Sequence, residues 1–135
     1  MGKKLILISH GKFCEALKDS VEMIMGPQED ILTVGLEPSE GAEDFKEKFL
    51  NTIPDEGEVT VFADLMGGTP CNVASRLILE GTRFDLYAGM SMPMVIGFLN
   101  GQLLGETVDY KAYAIDNTHH VNAILSSIET DDDDL

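Results

Sequence analysis

Short apolar runs of strand length alternate with segments of helical period along these 135 residues. That alternation predicts an α/β fold, a doubly wound and mainly parallel sheet with helices on both faces. Two further observations point the same way. Each unit is long enough for a right-handed strand–helix–strand crossover. The first run, Leu5-Ile6-Leu7-Ile8, is apolar at every position, as a strand covered on both faces must be.

The first strand follows Lys3-Lys4 and closes at Ser9-His10-Gly11. Cys14, Leu17, Val21 and Ile24 then fall at helical spacing, and Gly26-Pro27 stops that helix. Ile31 to Leu36 reads as the second strand. Ala42, Phe45 and Phe49 line one face of a second helix, which runs into the turn Pro54-Asp55-Glu56-Gly57. Val59 to Ala63 is the third strand, Pro70 to Glu80 a third helix ended by Gly81, and Phe84 to Ala88 the fourth strand. Pro93 to Leu104 is a fourth helix, apolar nearly all round. Tyr110 to Ile115 alternates polar and apolar and is expected to be a half-exposed edge strand, while Val121, Ile124, Leu125 and Ile128 mark a last amphipathic helix. No internal repeat or long linker interrupts the pattern. Residues 1–130 are thus expected to form one domain, and 131–135 a solvated acidic tail.

With 44% hydrophobic residues the chain can bury roughly two-thirds of its unfolded surface without staples. Cys14 and Cys71 are far apart and lack CxxC spacing, so neither a metal site nor a disulfide framework is expected, and a reducing compartment is. No apolar segment reaches membrane-span length and no cleavable leader is evident. Met1-Gly2 opens like an acylation signal, but Ile6 stands where Ser or Thr is required. The expectation is a cytoplasmic protein. The net charge of −15 argues against nucleic acid, which demands clustered Lys and Arg. It leaves an electropositive protein partner open, beside the simpler reading of solubility.

His10 is the first side chain to emerge from the first strand, at the carboxyl edge where open α/β sheets do their chemistry. The second informative segment is Asp64-Leu65-Met66-Gly67-Gly68-Thr69-Pro70, between the third strand and the third helix. Thr69 is a suitable N-cap and Pro70 suits the first helical position. Gly67 and Gly68 let backbone N–H groups approach an anion at the positive end of the helix. In a flavodoxin-like order 2-1-3-4, His10 and Asp64 end neighbouring strands at the topological switch point. A carboxylate there would fix the imidazole tautomer and leave the other nitrogen free as nucleophile or base. The result is a holder for a phosphoryl group on histidine, needing neither cofactor nor metal. Ser9 is a weak candidate nucleophile, since no GxSxG elbow surrounds it.

At these residues the chain resembles the IIA component of mannose-type sugar phosphotransferase systems. Ile8-Ser9-His10-Gly11 and Asp64-Leu65-Met66-Gly67-Gly68-Thr69-Pro70, with Asn72 and Ala74 following, carry the match. Ala88-Gly89-Met90-Ser91-Met92-Pro93-Met94 resembles the family's loop after the fourth strand, and the resemblance spans about residues 4 to 115. It implies that His10 accepts phosphate from the histidine phosphocarrier protein. The phosphate would pass to a IIB component and so, through a membrane permease, to an incoming sugar. It also implies that Asp64 bonds the ring, that the Thr69 hydroxyl contacts the phosphoryl group, and that the protein is a homodimer exchanging its last strand. Met66 departs from the aromatic residue many relatives carry before the glycine pair. Some relatives continue into a IIB domain, whereas this sequence ends at Leu135.

Two other readings stay open at this point. One is a receiver-type module phosphorylated on Asp64, although the acidic pair that holds Mg²⁺ is replaced by Ser9-His10. The other is the related phosphotransferase subunit of dihydroxyacetone kinases. The pair His119-His120 cannot easily serve one metal from a loop without outside ligands. Met90, Met92 and Met94 suit either core packing or an adaptable partner surface. The all-round apolar fourth helix, and the Gly105 to Asp109 connection that frees the last strand, support the dimer independently.

Overall fold

Residues 2–129 are described by the structure, a computed structural model. The tail 131–135 lies outside them. In chain order the elements are β1 (Lys3–His10), α1 (Phe13–Met25), β2 (Ile31–Leu36), α2 (Ala42–Thr52), β3 (Glu58–Ala63), α3 (Thr69–Leu79), β4 (Asp85–Ala88), α4 (Met92–Leu104), α5 (Tyr110–Asp116) and α6 (Val121–Glu129). The strands form one parallel sheet in the order β2-β1-β3-β4.

β1 occupies the centre because it is apolar on both faces. Leu5 and Leu7 pack with Leu17, Val21, Val95 and Phe98 of α1 and α4. Ile6 and Ile8 point the other way, into Phe45 and Phe49 of α2 and Ala74 and Leu77 of α3. All four β1 side chains are fully buried, each contributing about 1.5–3 kcal/mol of apolar transfer. Met90 and Met94 are buried in the α1/α4 layer, which favours packing over a free partner surface.

The expected edge strand over Tyr110 to Ile115 is instead helix α5. Asp109 caps it by accepting the Ala112 N–H at 3.0 Å, and Tyr110, Tyr113 and Ala114 fall at helical spacing on its less exposed face. Six residues that alternate roughly in polarity fit either period, and the cap together with the docking surface decides between them. That surface belongs to the same chain. Tyr110 packs edge-on against Phe62 and Tyr87, with ring centroids 5.2 and 5.3 Å apart. Gly97 and Gly101, one turn apart on α4, leave room for Tyr113 and Val108. The segment expected to cross to a neighbour as a strand is therefore a helix docked at home.

Three smaller departures accompany it. Ile24, placed on the inner face of α1 by spacing, is exposed in the last turn. The N-cap of α3 is Gly68, with Thr69 as the first helical residue, so the cap is one residue earlier than the side-chain preference implied. His119 and His120 are exposed before α6.

Candidate active site

β1 and β3 lie side by side in register, and the backbone N–H of Asp64 donates to the Ile8 carbonyl at 3.1 Å, carrying the ladder one residue past β3. Asp64 and His10 are thereby placed together at the carboxyl edge. The oxygen Oδ2 of Asp64 lies 2.7 Å from His10 Nδ1 and also accepts the backbone N–H of His10 at 2.9 Å. Oδ1 accepts the Leu65 N–H at 2.9 Å. Burial, with only 9% of the side chain exposed, raises the Asp64 carboxyl. The bonds from the His10 ring, the His10 N–H and the Leu65 N–H outweigh that burial and hold it below its ordinary value.

An ionised oxygen at 2.7 Å requires a proton on Nδ1, so the neutral His10 ring carries its lone pair on Nε2. The His10 side chain is 49% exposed, open to an incoming group. Gly68 borders the same edge of the ring. A Cβ at that position would stand 2.5 Å from Cε1 and 3.0 Å from Nε2. Its φ of −93° suits any residue, so the glycine is needed for close approach and not for backbone freedom. Gly67, with φ +92°, does need that freedom. The Asn72 amide donates to its carbonyl at 3.4 Å.

Among the described residues the N–H groups of Gly67 and Gly68 find no acceptor, and the Thr69 hydroxyl makes no hydrogen bond. Together with the amino end of α3 they form an electropositive, unsaturated rim beside Nε2. Of the residues expected at the site, the structure brings His10, Asp64 and Gly68 into contact. Gly67 and Thr69 flank Gly68, Thr69 lining the groove between α2 and α3.

Ser9 has a role that a search for nucleophiles overlooks. Its buried hydroxyl accepts the Cys14 N–H at 2.9 Å and donates to the Gly11 carbonyl at 3.4 Å, tying the start of α1 to the end of β1. The Gly11 N–H donates to Leu36, and Gly35 lies so close that a Cβ would fall 2.2 Å from the Gly11 oxygen. Lys48 reinforces this side from α2, donating to the Gly35 carbonyl and to Glu40, each at 2.6 Å. The signal available for Ser9 was its position one residue before His10, on a buried strand. Phe13 at the start of α1, and Leu65 and Met66 in the loop after β3, expose apolar surface at this edge of the sheet, Met66 to 83%.

A carboxylate-braced histidine at the switch point, facing a helix amino terminus, defines a class of site built to present one ring nitrogen to an anionic group. The chain belongs to the EIIA-man family, described as the PTS system fructose IIA component, which matches residues 4–114. It is 37% identical over 99 residues to the PTS system fructose-specific EIIA component of Bacillus subtilis, covering 71% of this chain and 68% of that one. It is 33% identical over 95 residues to the sorbose-specific EIIA component of Lacticaseibacillus casei, covering 69% of each. The crystal structure of phosphotransferase system component EIIA from Streptococcus agalactiae superposes with a TM-score of 0.82 at 25% identity, over 90% of this chain and 98% of that one. The chain is thus a sugar-system EIIA component, of a family of phosphotransfer proteins. Among the described residues no helix is long and apolar enough to cross a membrane.

Proposed function

We propose that His10 is a phosphorylation site, accepting a phosphoryl group from a histidine phosphocarrier protein and donating it to a IIB component during sugar uptake. The observation that carries this reading is the 2.7 Å contact between Asp64 Oδ2 and His10 Nδ1, which leaves Nε2 as the free nucleophile beside Gly68. In the transfer, the Nε2 lone pair forms the new N–P bond as the bond to the donor's ring nitrogen breaks, and that nitrogen keeps the electron pair. The proton on Nδ1 stays in place. The product ring is cationic, and the Asp64 carboxylate opposite it stabilises that charge. The N–H groups of Gly67 and Gly68 and the Thr69 hydroxyl are suited to the phosphoryl oxygens, whose charge spreads outward in a loose transition state.

Phe13, Leu65 and Met66 supply the apolar collar on which carrier and IIB partner would sit in turn. In this reading residues 1–130 are one cytoplasmic phosphotransfer domain with an acidic tail, and the permease is reached only through IIB. The receiver-type alternative has less support, because both oxygens of Asp64 are engaged and its side chain is mostly buried. A homodimer is part of the proposal. Leu103 and Leu104 on α4 and Val121, Ile124 and Leu125 on α6 expose apolar side chains that a second copy would cover.

The test is incubation with the phosphocarrier protein and its upstream kinase. Acid-labile phosphate is expected on His10 alone, and phosphate persisting in His10→Ala overturns the assignment. Light scattering is expected to give twice the 14.7 kDa chain mass, and a monomer at micromolar concentration refutes the dimer.

A further inference from the structure

The groove between α2 and α3 lies next to the His10 crevice and shares Thr69 with it, while its other lining side chains have no part in the proposed relay. It encloses about 300 Å³, the lower end of the range for small-molecule sites. Thr69, Asn72, Val73, Arg76 and Leu77 line it from one face of α3, and Lys46 projects from α2. Val73 and Leu77 provide an apolar floor.

The charges in this groove are unusual for so acidic a chain. Acids outnumber Lys and Arg by 24 to 9, and the ion pairs among the described residues involve Lys3, Lys4, Lys48 and His10. Lys46 and Arg76 belong to none of them. Glu43 and Glu80 share the lining, yet neither comes within ion-pair distance of the two cations. The Arg76–Glu80 spacing, with the base on the amino side, is the less favourable order for a helical pair. Asp44 and Glu47 stand beside Lys46 on α2, and neither is paired with it.

Lys46 and Arg76, unpaired among the described residues, suit a divalent anion, and a phosphate monoester carries nearly two charges near neutral pH. The Asn72 amide oxygen suits a hydroxyl of a short carbon skeleton resting on Val73 and Leu77. We propose that the α2–α3 groove binds the phosphate monoester of a small polyol, with Lys46 and Arg76 holding the phosphate. The site is separate from the phosphorylation of His10, and its occupancy is read directly by binding.

The experiment is an NMR titration of the full ¹⁵N-labelled chain, at constant ionic strength, with fructose 6-phosphate, inorganic phosphate and free fructose. Saturable shifts centred on residues 42–46 and 72–77 are expected for fructose 6-phosphate at millimolar concentrations or below. Inorganic phosphate should bind at least about tenfold more weakly, having no groups for Asn72 or the apolar floor. Free fructose should not bind. Lys46→Met and Arg76→Met should each weaken binding by about tenfold or more, the loss of one charge-assisted contact. Both variants should still be phosphorylated on His10, which separates failure of this proposal from failure of the relay assignment. Absence of saturable shifts, equal affinity for inorganic phosphate, shifts centred on His10, or undiminished binding in the double variant would each overturn it.

Discussion

Replacing Gly68 by alanine isolates the contact between α3 and the His10 ring. The backbone at this position, φ −93° and ψ 170°, admits alanine without strain. The added Cβ, however, stands 2.5 Å from Cε1 and 3.0 Å from Nε2, where ordinary contact begins at 3.4 Å. The ring must retreat by about 1 Å, a misplacement that costs on the order of 100-fold when the displaced atom is the nucleophile. The Nδ1 bond to Asp64, now 2.7 Å, is stretched or bent in the process. Because the ring is half exposed and free to yield, stability should change by less than about 1 kcal/mol. Rapid-quench measurement of phosphoryl transfer to His10, beside a thermal melt, reads both quantities. Gly68→Ala transferring at the wild-type rate with an unchanged melt would refute the argument that this glycine sets the ring's position.

Asp64→Asn should keep the fold and slow phosphoryl transfer by about tenfold or more, since an amide cannot balance the cationic ring. Because the folded-state carboxyl of Asp64 lies below its ordinary value, its stabilising contribution is complete above about pH 5 and is lost as pH falls through the depressed value. Thermal melts between pH 6 and 3 should therefore decline less steeply for Asp64→Asn than for the wild type, and parallel curves would contradict this. Gly35→Ala drives a Cβ to 2.2 Å from a backbone oxygen that cannot swing aside, and should cost about 2 kcal/mol, or about 8 °C in melting temperature. An unchanged melt would show that the β1–α1 loop yields. Burial pushes the Cys14 thiol up, so Ellman's reagent should modify it only as fast as the fold opens. Labelling at the rate of an exposed thiol would show that the start of α1 is not closed as described.

The readable part of this fold was the part written in local periodicity. A β1 apolar at four consecutive positions read as a strand covered on both faces, and once the strands alternated with helices, the edge carrying His10 and Asp64 followed from chain direction. The Gly-Gly turn before a proline located the amino end of α3 to within a residue. Tyr110 to Ile115 escaped because its short alternation suits either period, and its helical state depends on Asp109 as a cap and on Phe62, Tyr87, Gly97 and Gly101, which meet it only in the folded chain.

The sequence by itself thus determined which residue types stand at the ends of which elements, because amphipathic period and chain direction are local properties. Tertiary structure alone decided that Gly68 abuts the imidazole, that Ser9 ties α1 to β1, and that Lys46 and Arg76 line one groove. Each of these depends on how closely elements distant in the chain approach, and spacing along a sequence carries no measure of that distance.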